Sequence, residues 1–123
     1  MPVIDFHNHF YPPDYIEAVR SGRSAIKVTE DAEGNPVLHY PGDYNVLVRG
    51  HRDIDFRERV IREHHIAVQV LSFTTPGTHV EAPAIAVDWA AMVNDAFAAI
   101  VSDRSEHFTA LATLPLNDPA ASV

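Results

Sequence analysis

The chain has no cysteine. That excludes disulfides, thiolate metal sites and cysteine nucleophiles together. Positive charge is also scarce: 9 Lys and Arg stand against 17 Asp and Glu, for a net charge of −8. A phosphate-reading surface needs clustered basic side chains, so no nucleic-acid partner is expected. No uninterrupted apolar run approaches the roughly 18 residues of a membrane span, so no membrane partner is expected either. The N-terminus carries Asp5, His7 and His9 where a signal peptide would need a basic segment and an apolar stretch, which makes the cytoplasm the expected location. The 5 glycines are scattered, with no G-x-G-x-x-G, G-x-x-x-x-G-K or G-x-S-x-G among them. Neither a phosphate-cradling loop nor a serine-hydrolase elbow is encoded.

What is present suits one globular domain: 46% of the 123 residues are hydrophobic and 21% charged. The length permits a real core but falls far short of the roughly 250 residues of a complete (β/α)₈ barrel. Val3 to Phe10 reads as a strand stopped by Pro12-Pro13, with Asp5, His7 and His9 on one face and Ile4, Phe6 and Phe10 on the other. A short helix follows from Asp14 to Arg20, opened by Pro13 and ended near Gly22. Ala25–Thr29 and Val37–Tyr40 predict an inserted hairpin, then a loop at Pro41-Gly42-Asp43 and an ambiguous stretch to Arg52. Asp53–His64 is amphipathic, with Ile54, Phe56, Val60 and Ile61 on one side and Arg57, Glu58, Arg62 and Glu63 read as charged surface.

Ile66–Phe73 is nearly continuous in apolar character, which suits a parallel strand buried on both faces. The strongest helical periodicity spans Pro83–Asp103 through Ile85, Trp89, Met92, Val93, Ala96, Phe97, Ile100 and Val101. Phe108–Leu116 predicts a third strand, and Asp118-Pro119 a further helix start. The order is α/β with a parallel sheet. Because it stops inside a β/α unit, the expectation is the N-terminal part of a longer (β/α)₈ barrel, about three parallel strands plus an inserted hairpin within residues 23–50. A complete three-strand domain is the alternative.

Asp5-Phe6-His7-Asn8-His9 is the strongest chemical feature. Two histidines at i and i+2 of a strand project the same way, about 6.5–7 Å apart along the chain. Imidazoles can converge from there on one ion through bonds of about 2.0–2.1 Å. Asp5, one step deeper, is placed to orient a ligand imidazole. With 8 histidines in the chain the spacing alone is a common coincidence. Its place at the C-terminal end of the first strand gives it weight, since β/α folds keep their sites there.

Val3-Ile4-Asp5-Phe6-His7-Asn8-His9-Phe10-Tyr11-Pro12-Pro13 resembles the opening of the amidohydrolase superfamily, and within it the amidohydrolase-2 branch typified by aminocarboxymuconate-semialdehyde decarboxylase. Ile66–Ser72 resembles that branch's second barrel strand, Met92-Val93-Asn94-Asp95 its following helix, and Leu111–Pro119 its third strand and next helix start. The resemblance implies a distorted barrel holding one divalent metal ion, commonly zinc, with His7 and His9 as its first two ligands. It implies a small carboxylated, cyclic substrate and either decarboxylation or hydrolysis, the metal polarising a carboxylate or carbonyl. The family's further ligands and its acid/base histidine have no counterpart within these 123 residues.

Candidate substrate contacts are Arg49, Thr74 and His79, against the ordinary roles of a surface arginine, a loop-forming threonine and a surface or capping histidine. In some relatives an Arg before the second unit's helix meets the substrate carboxylate; Asn45 falls at that position and Arg49 lies nearby. Thr74, Thr75 and His79 sit in the loop after the second parallel strand, which faces the site in a barrel. His39, His51, His64 and His107 read as surface or capping residues, and Trp89 as core. His65 falls where the family has a helix-closing Gly. Two other readings compete. One is a metal-dependent phosphoesterase barrel with the same opening, TatD-like or of the polymerase-and-histidinol-phosphatase type, which the acidic charge opposes. The other is an inactive fragment that associates through open sheet edges, or a homo-oligomer supplying missing ligands, since two histidines are one short of the three protein ligands of a catalytic zinc.

Overall fold

A computed structural model describes residues 1–123. Six strands form two sheets: β1 (Val3–Asp5), β2 (Lys27–Glu30), β3 (Pro36–Tyr40), β4 (Asp43–Val46), β5 (Ile66–Leu71) and β6 (Phe108–Ala110). Three α-helices accompany them: α1 (Pro13–Ala18), α2 (Ile54–Glu63) and α3 (Pro83–Asp103). The first sheet is parallel in the order β1-β5-β6, and the second is antiparallel in the order β2-β3-β4. This is the expected α/β plan: a β/α series with a separate small sheet inserted after β1.

The insertion is larger than the expected hairpin. Tyr40 pairs with Asp43 across Pro41-Gly42, which adds β4 to the β2–β3 pair. Gly42 has φ 89°. Pro at the second and Gly at the third position of that reversal are what a type II turn requires. Glu81, itself only 6% exposed, ties the start of the insertion to the loop after β5. It accepts from Ser24 Oγ at 2.6 Å and from the Ala25 amide at 2.9 Å.

The β1 region departs from a regular strand. Pairing already shifts register between Val3↔Ile66 and Ile4↔Val68, where β5 has the extra residue; it then runs to Asp5↔Gln69 and resumes only at a single bridge, His9↔Ser72. Four steps on the first strand thus face three on the second. One extra residue is a bulge, and it flips the side chains beyond it. Phe6 is consequently 69% exposed while Phe10, expected on the same face, is 1% exposed.

Helix α2 starts at an Asp53 cap whose side chain accepts the Phe56 amide, and it ends in His65 at φ 56°. The Gly-like backbone expected at His65 is therefore present without the glycine. One assignment on α2 is corrected: Arg57 is 7% exposed and lies on the buried stripe with Ile61. Helix α3 covers the predicted span and sends Trp89, Val93 and Phe97 into a core shared with Phe10, Tyr11, Tyr15, Leu71 and Phe108. By length and composition α3 could cross a membrane, although Asp88 and Asp95 interrupt its apolar run. In this fold it packs one face into the core.

β6 is shorter than predicted. Beyond Ala110 strand pairing stops, and Asn94 of α3 serves the backbone there, accepting the Thr113 amide and donating to the Thr113 carbonyl. Val3, Ile4 and Phe6 at one flank of the parallel sheet, and Leu111, Leu114 and Leu116 at the other, stand exposed.

Candidate metal centre

The residues following the C-terminal ends of β1, β5 and β6 meet on one side of the parallel sheet. His7 and His9 lie there with ring centres 5.4 Å apart and planes at 69°. A metal–nitrogen bond of about 2.0–2.1 Å plus the ring radius puts each ring centre about 3.2 Å from a shared ion, so tetrahedral partners have centres about 5.2 Å apart. The observed separation fits that spacing.

Hydrogen bonds decide which nitrogen of His9 is free. Ser72 Oγ donates its only proton to the Asn8 carbonyl at 2.6 Å. Toward His9 Nδ1, at 3.0 Å, it can then only accept. Nδ1 carries the hydrogen, and the lone pair is at Nε2. A second group fixing the tautomer in this way is the usual support of a metal-binding imidazole. Partial burial, with His7, His51 and Arg57 nearby, holds the His9 pKa below its ordinary value, which favours the neutral, ligating form.

Asp5 does not take the role expected of it. One of its oxygens accepts the His7 amide at 3.1 Å and the other accepts Gln69 Nε2 at 2.7 Å. It braces the backbone of His7, while Ser72 orients the ring of His9. No group of three or more His, Cys, Asp or Glu side chains in the chain is arranged to hold a metal ion.

Two cavities flank β5 at this end. One, of about 230 Å³, is lined by His9, Tyr11, Asn45, His51, Thr74 and Thr75 among others. The second, of about 380 Å³, lies toward β6 and includes Thr74, Thr75, His79, Leu111 and Leu114. Thr74 thus borders both, and His79 borders the second. His51, read from sequence as a surface or capping residue, is half-buried in the wall of the first cavity. Its Nδ1 faces the Val46 carbonyl at 3.2 Å, and burial lowers its pKa from the ordinary value. Asn45 donates to Tyr11 Oη at 3.0 Å and to the Thr75 carbonyl at 2.5 Å, joining β4 to the loop after β5. The largest depression, about 690 Å³, runs along β2 and contains none of these residues.

Arg49 is held elsewhere. Its Nε donates to Asp53 at 2.8 Å and its guanidinium lies 5.0 Å from the centre of the Phe56 ring. It lines neither cavity.

Sequence reasoning missed Asn8, Arg57, Gln69 and Ser72. A signal for Arg57 was available: it is three residues after Ile54 and four before Ile61, in the middle of the apolar stripe of α2. Ser72 gave none, because its role depends on the pairing of two distant segments.

Comparison with known proteins shows what this arrangement resembles. No protein-family model matches the sequence, and no curated protein does. Solved structures do. The chain matches IDCase of Metarhizium anisopliae in apo form with a TM-score of 0.82, at 22% identity over 98% of this chain and 37% of that one. It matches a dihydroxybenzoic acid decarboxylase from Polaromonas sp. JS666 with bound manganese and the inhibitor 2-nitroresorcinol, with a TM-score of 0.70, at 24% identity over 99% of this chain and 33% of that one. It matches a 2,6-dihydroxybenzoate decarboxylase complexed with 2,6-dihydroxybenzoate, with a TM-score of 0.67, at 24% identity over 99% of this chain and 34% of that one. The chain spans about a third of the length of these structures. The likeness is one of fold: the α/β arrangement expected from the sequence is the one found within each of these solved structures.

Proposed function

We propose that this chain forms part of a metal-dependent enzyme of the amidohydrolase-2 type, in which His7 and His9 hold one divalent cation. The observation behind the reading is the imidazole pair at the C-terminal end of the sheet, with the Nε2 lone pair of His9 left free by Ser72. The cation would supply Lewis acidity toward the carboxylate of a small cyclic acid. Of the two reactions expected from the sequence, decarboxylation is favoured by the structural likeness to decarboxylases of aromatic acids. Zinc is the metal expected from the sequence resemblance, and manganese is the metal bound in one of the similar structures.

The roles of the remaining groups follow from placement. Thr74 and His79 border the cavities and are the proposed substrate contacts. Arg49 would join them only on leaving Asp53. Neither cavity is lined by Lys or Arg, which disfavours the phosphoesterase reading. A catalytic metal takes at least three protein ligands, and this chain offers two. The third would come from other β/α units or from a second copy of the chain.

The test is a titration of the purified chain with zinc and with manganese, followed on the histidine ring resonances. We expect one ion per chain, held weakly, with His7 and His9 responding. His7→Ala or His9→Ala should abolish the response. Unchanged binding in either variant refutes the ligand assignment. A carbon dioxide release assay on a panel of aromatic acids, run on a protein that contains this chain and binds metal tightly, separates decarboxylation from hydrolysis.

A further inference from the structure

We infer that Arg57 is the positioning residue of the histidine pair: one buried guanidinium sets the backbone of residues 7–9 and thereby the ring state of His9. The inference builds on the metal reading above and adds a residue that neither composition nor resemblance singles out.

The need for such a residue arises from the bulge. Between Asp5 and His9 the first strand has no ladder bonds to β5. Backbone groups freed in this way must find other partners, and a segment without them does not hold its side chains in one direction. Arg57 supplies what the ladder lacks. Its Nη2 donates to the His9 carbonyl at 2.5 Å and to the Gly50 carbonyl at 2.6 Å. Its Nε also donates to the Gly50 carbonyl, at 2.8 Å. Its Nη1 donates to Asn8 Oδ1 at 2.5 Å and to Gln69 Oε1 at 3.3 Å. The Phe10 ring centre lies 5.5 Å from the guanidinium carbon.

Three of these partners, the His9 carbonyl, Asn8 and Gln69, lead to the histidine pair. Gln69 passes the connection to Asp5, and Asp5 accepts the His7 amide. Asn8, fixed by Arg57, donates to the Asp5 and Val70 carbonyls at 3.2 and 3.1 Å. Its own carbonyl accepts from Ser72, the residue that sets the His9 tautomer. The middle residue of the His-Asn-His triplet is thus an anchor on the far side of the segment from the two rings.

The chemistry requires arginine. Five donors in a rigid plane reach four oxygen acceptors on α2's approach loop, the bulge and β5 at once. A lysine has three donors at a single point and cannot span them. No carboxylate touches the guanidinium directly, so its burial is costly and the carbonyl and amide oxygens must all be in place.

The experiment follows the His9 ring nitrogens by long-range ¹H–¹⁵N spectra of the full chain, without metal, in wild type, Arg57→Lys, Asn8→Ala and Val93→Ala. Wild type should show the Nδ1–H tautomer. Arg57→Lys and Asn8→Ala should lose it for the mixture of an unrestrained histidine. Val93→Ala, which opens a hole under α3, should lower the melting temperature and keep the tautomer. Where zinc binding is measurable, Arg57→Lys should weaken it about 10-fold or more. A wild-type tautomer retained in Arg57→Lys overturns the inference, as does loss of the tautomer in Val93→Ala. If Arg57→Lys does not fold, Asn8→Ala decides by the same criterion. Because this readout needs no metal, a wild-type chain that ignores zinc refutes the metal reading and leaves the positioning role to be judged on the ring spectra.

Discussion

Ser72→Ala separates what the site contributes to folding from what it contributes to metal affinity. The hydroxyl makes two hydrogen bonds, donating to the Asn8 carbonyl at 2.6 Å and accepting His9 Nδ1 at 3.0 Å. The His9 ring is only half-buried, so water replaces its lost partner at little cost. The Asn8 carbonyl lies inside the bulge and loses one partly buried bond. A net hydrogen bond contributes about 0.5–1.5 kcal/mol, so the variant should unfold about 1 kcal/mol more easily in urea. The effect on metal should be larger. Without Ser72 the imidazole rotates and exchanges tautomers, so the ligating form must be selected at each binding event. Loss of such a partner typically weakens affinity about 10–100-fold, or about 1.4–2.7 kcal/mol. The assay pairs urea melts with zinc titrations of wild type, Ser72→Ala and Ser72→Thr. The threonine keeps the hydroxyl and should bind within about threefold of wild type. If Ser72→Ala also stays within that range and retains the Nδ1–H tautomer, Ser72 does not govern the ligand and the reasoning fails.

His65→Gly should stabilise the chain by about 0.5–1 kcal/mol, because an L-residue in the left-handed region costs about 1–2 kcal/mol and glycine's extra freedom in the unfolded chain returns part of it. His65→Ala keeps the Cβ and should be near neutral; an equal gain there would locate the effect in the imidazole and not the backbone. Stability should fall on acidification in two stages. His9 and His51 have pKa values below 6.5 in the folded state, so the unfolded chain takes up protons first and stability drops as the pH passes below about 6.5. Asp53 and Glu58 are held below 3.8 and 4.5, Asp53 chiefly by the Phe56 amide and Glu58 chiefly by Arg62, so their contribution is full above those ordinary values and is lost progressively as the pH falls from them through the depressed folded values. Urea melts across this range check the order. A midpoint unchanged between about pH 7 and pH 5 contradicts the histidine stage; where the stage is seen, His51→Gln should reduce it.

Much of this architecture is written locally. Pro13 and Gly22 bracket α1 and its terminal turn, Asp53 caps α2, and the apolar spacing from Ile85 to Val101 lies within the single helix α3. The mostly apolar run at Ile66–Leu71 is the central strand, although only Gln69–Leu71 is fully buried. The closeness of His7 and His9 was legible because it is a relation between positions two apart, although the strand expected to carry them ends at Asp5. These features depend on residues a few positions from one another, and propensity, capping and periodicity act at that range.

The remainder depended on segments far apart in the chain. No local pattern shows that the strand loses register after Asp5, because the bulge exists only relative to β5, more than 60 positions on. Arg57 reads as a surface charge until α2 docks on the sheet, and its partners then come from three separate stretches. His51 faces a cavity because β4 and the loop after β5 close around it. Short-range sequence determined the three helices, the cores of the parallel strands and where the imidazoles lie along the chain, but not β4 or the strand ends. Tertiary packing alone decided which way those imidazoles point and what holds them, because a buried polar group is satisfied only by partners that folding brings to it.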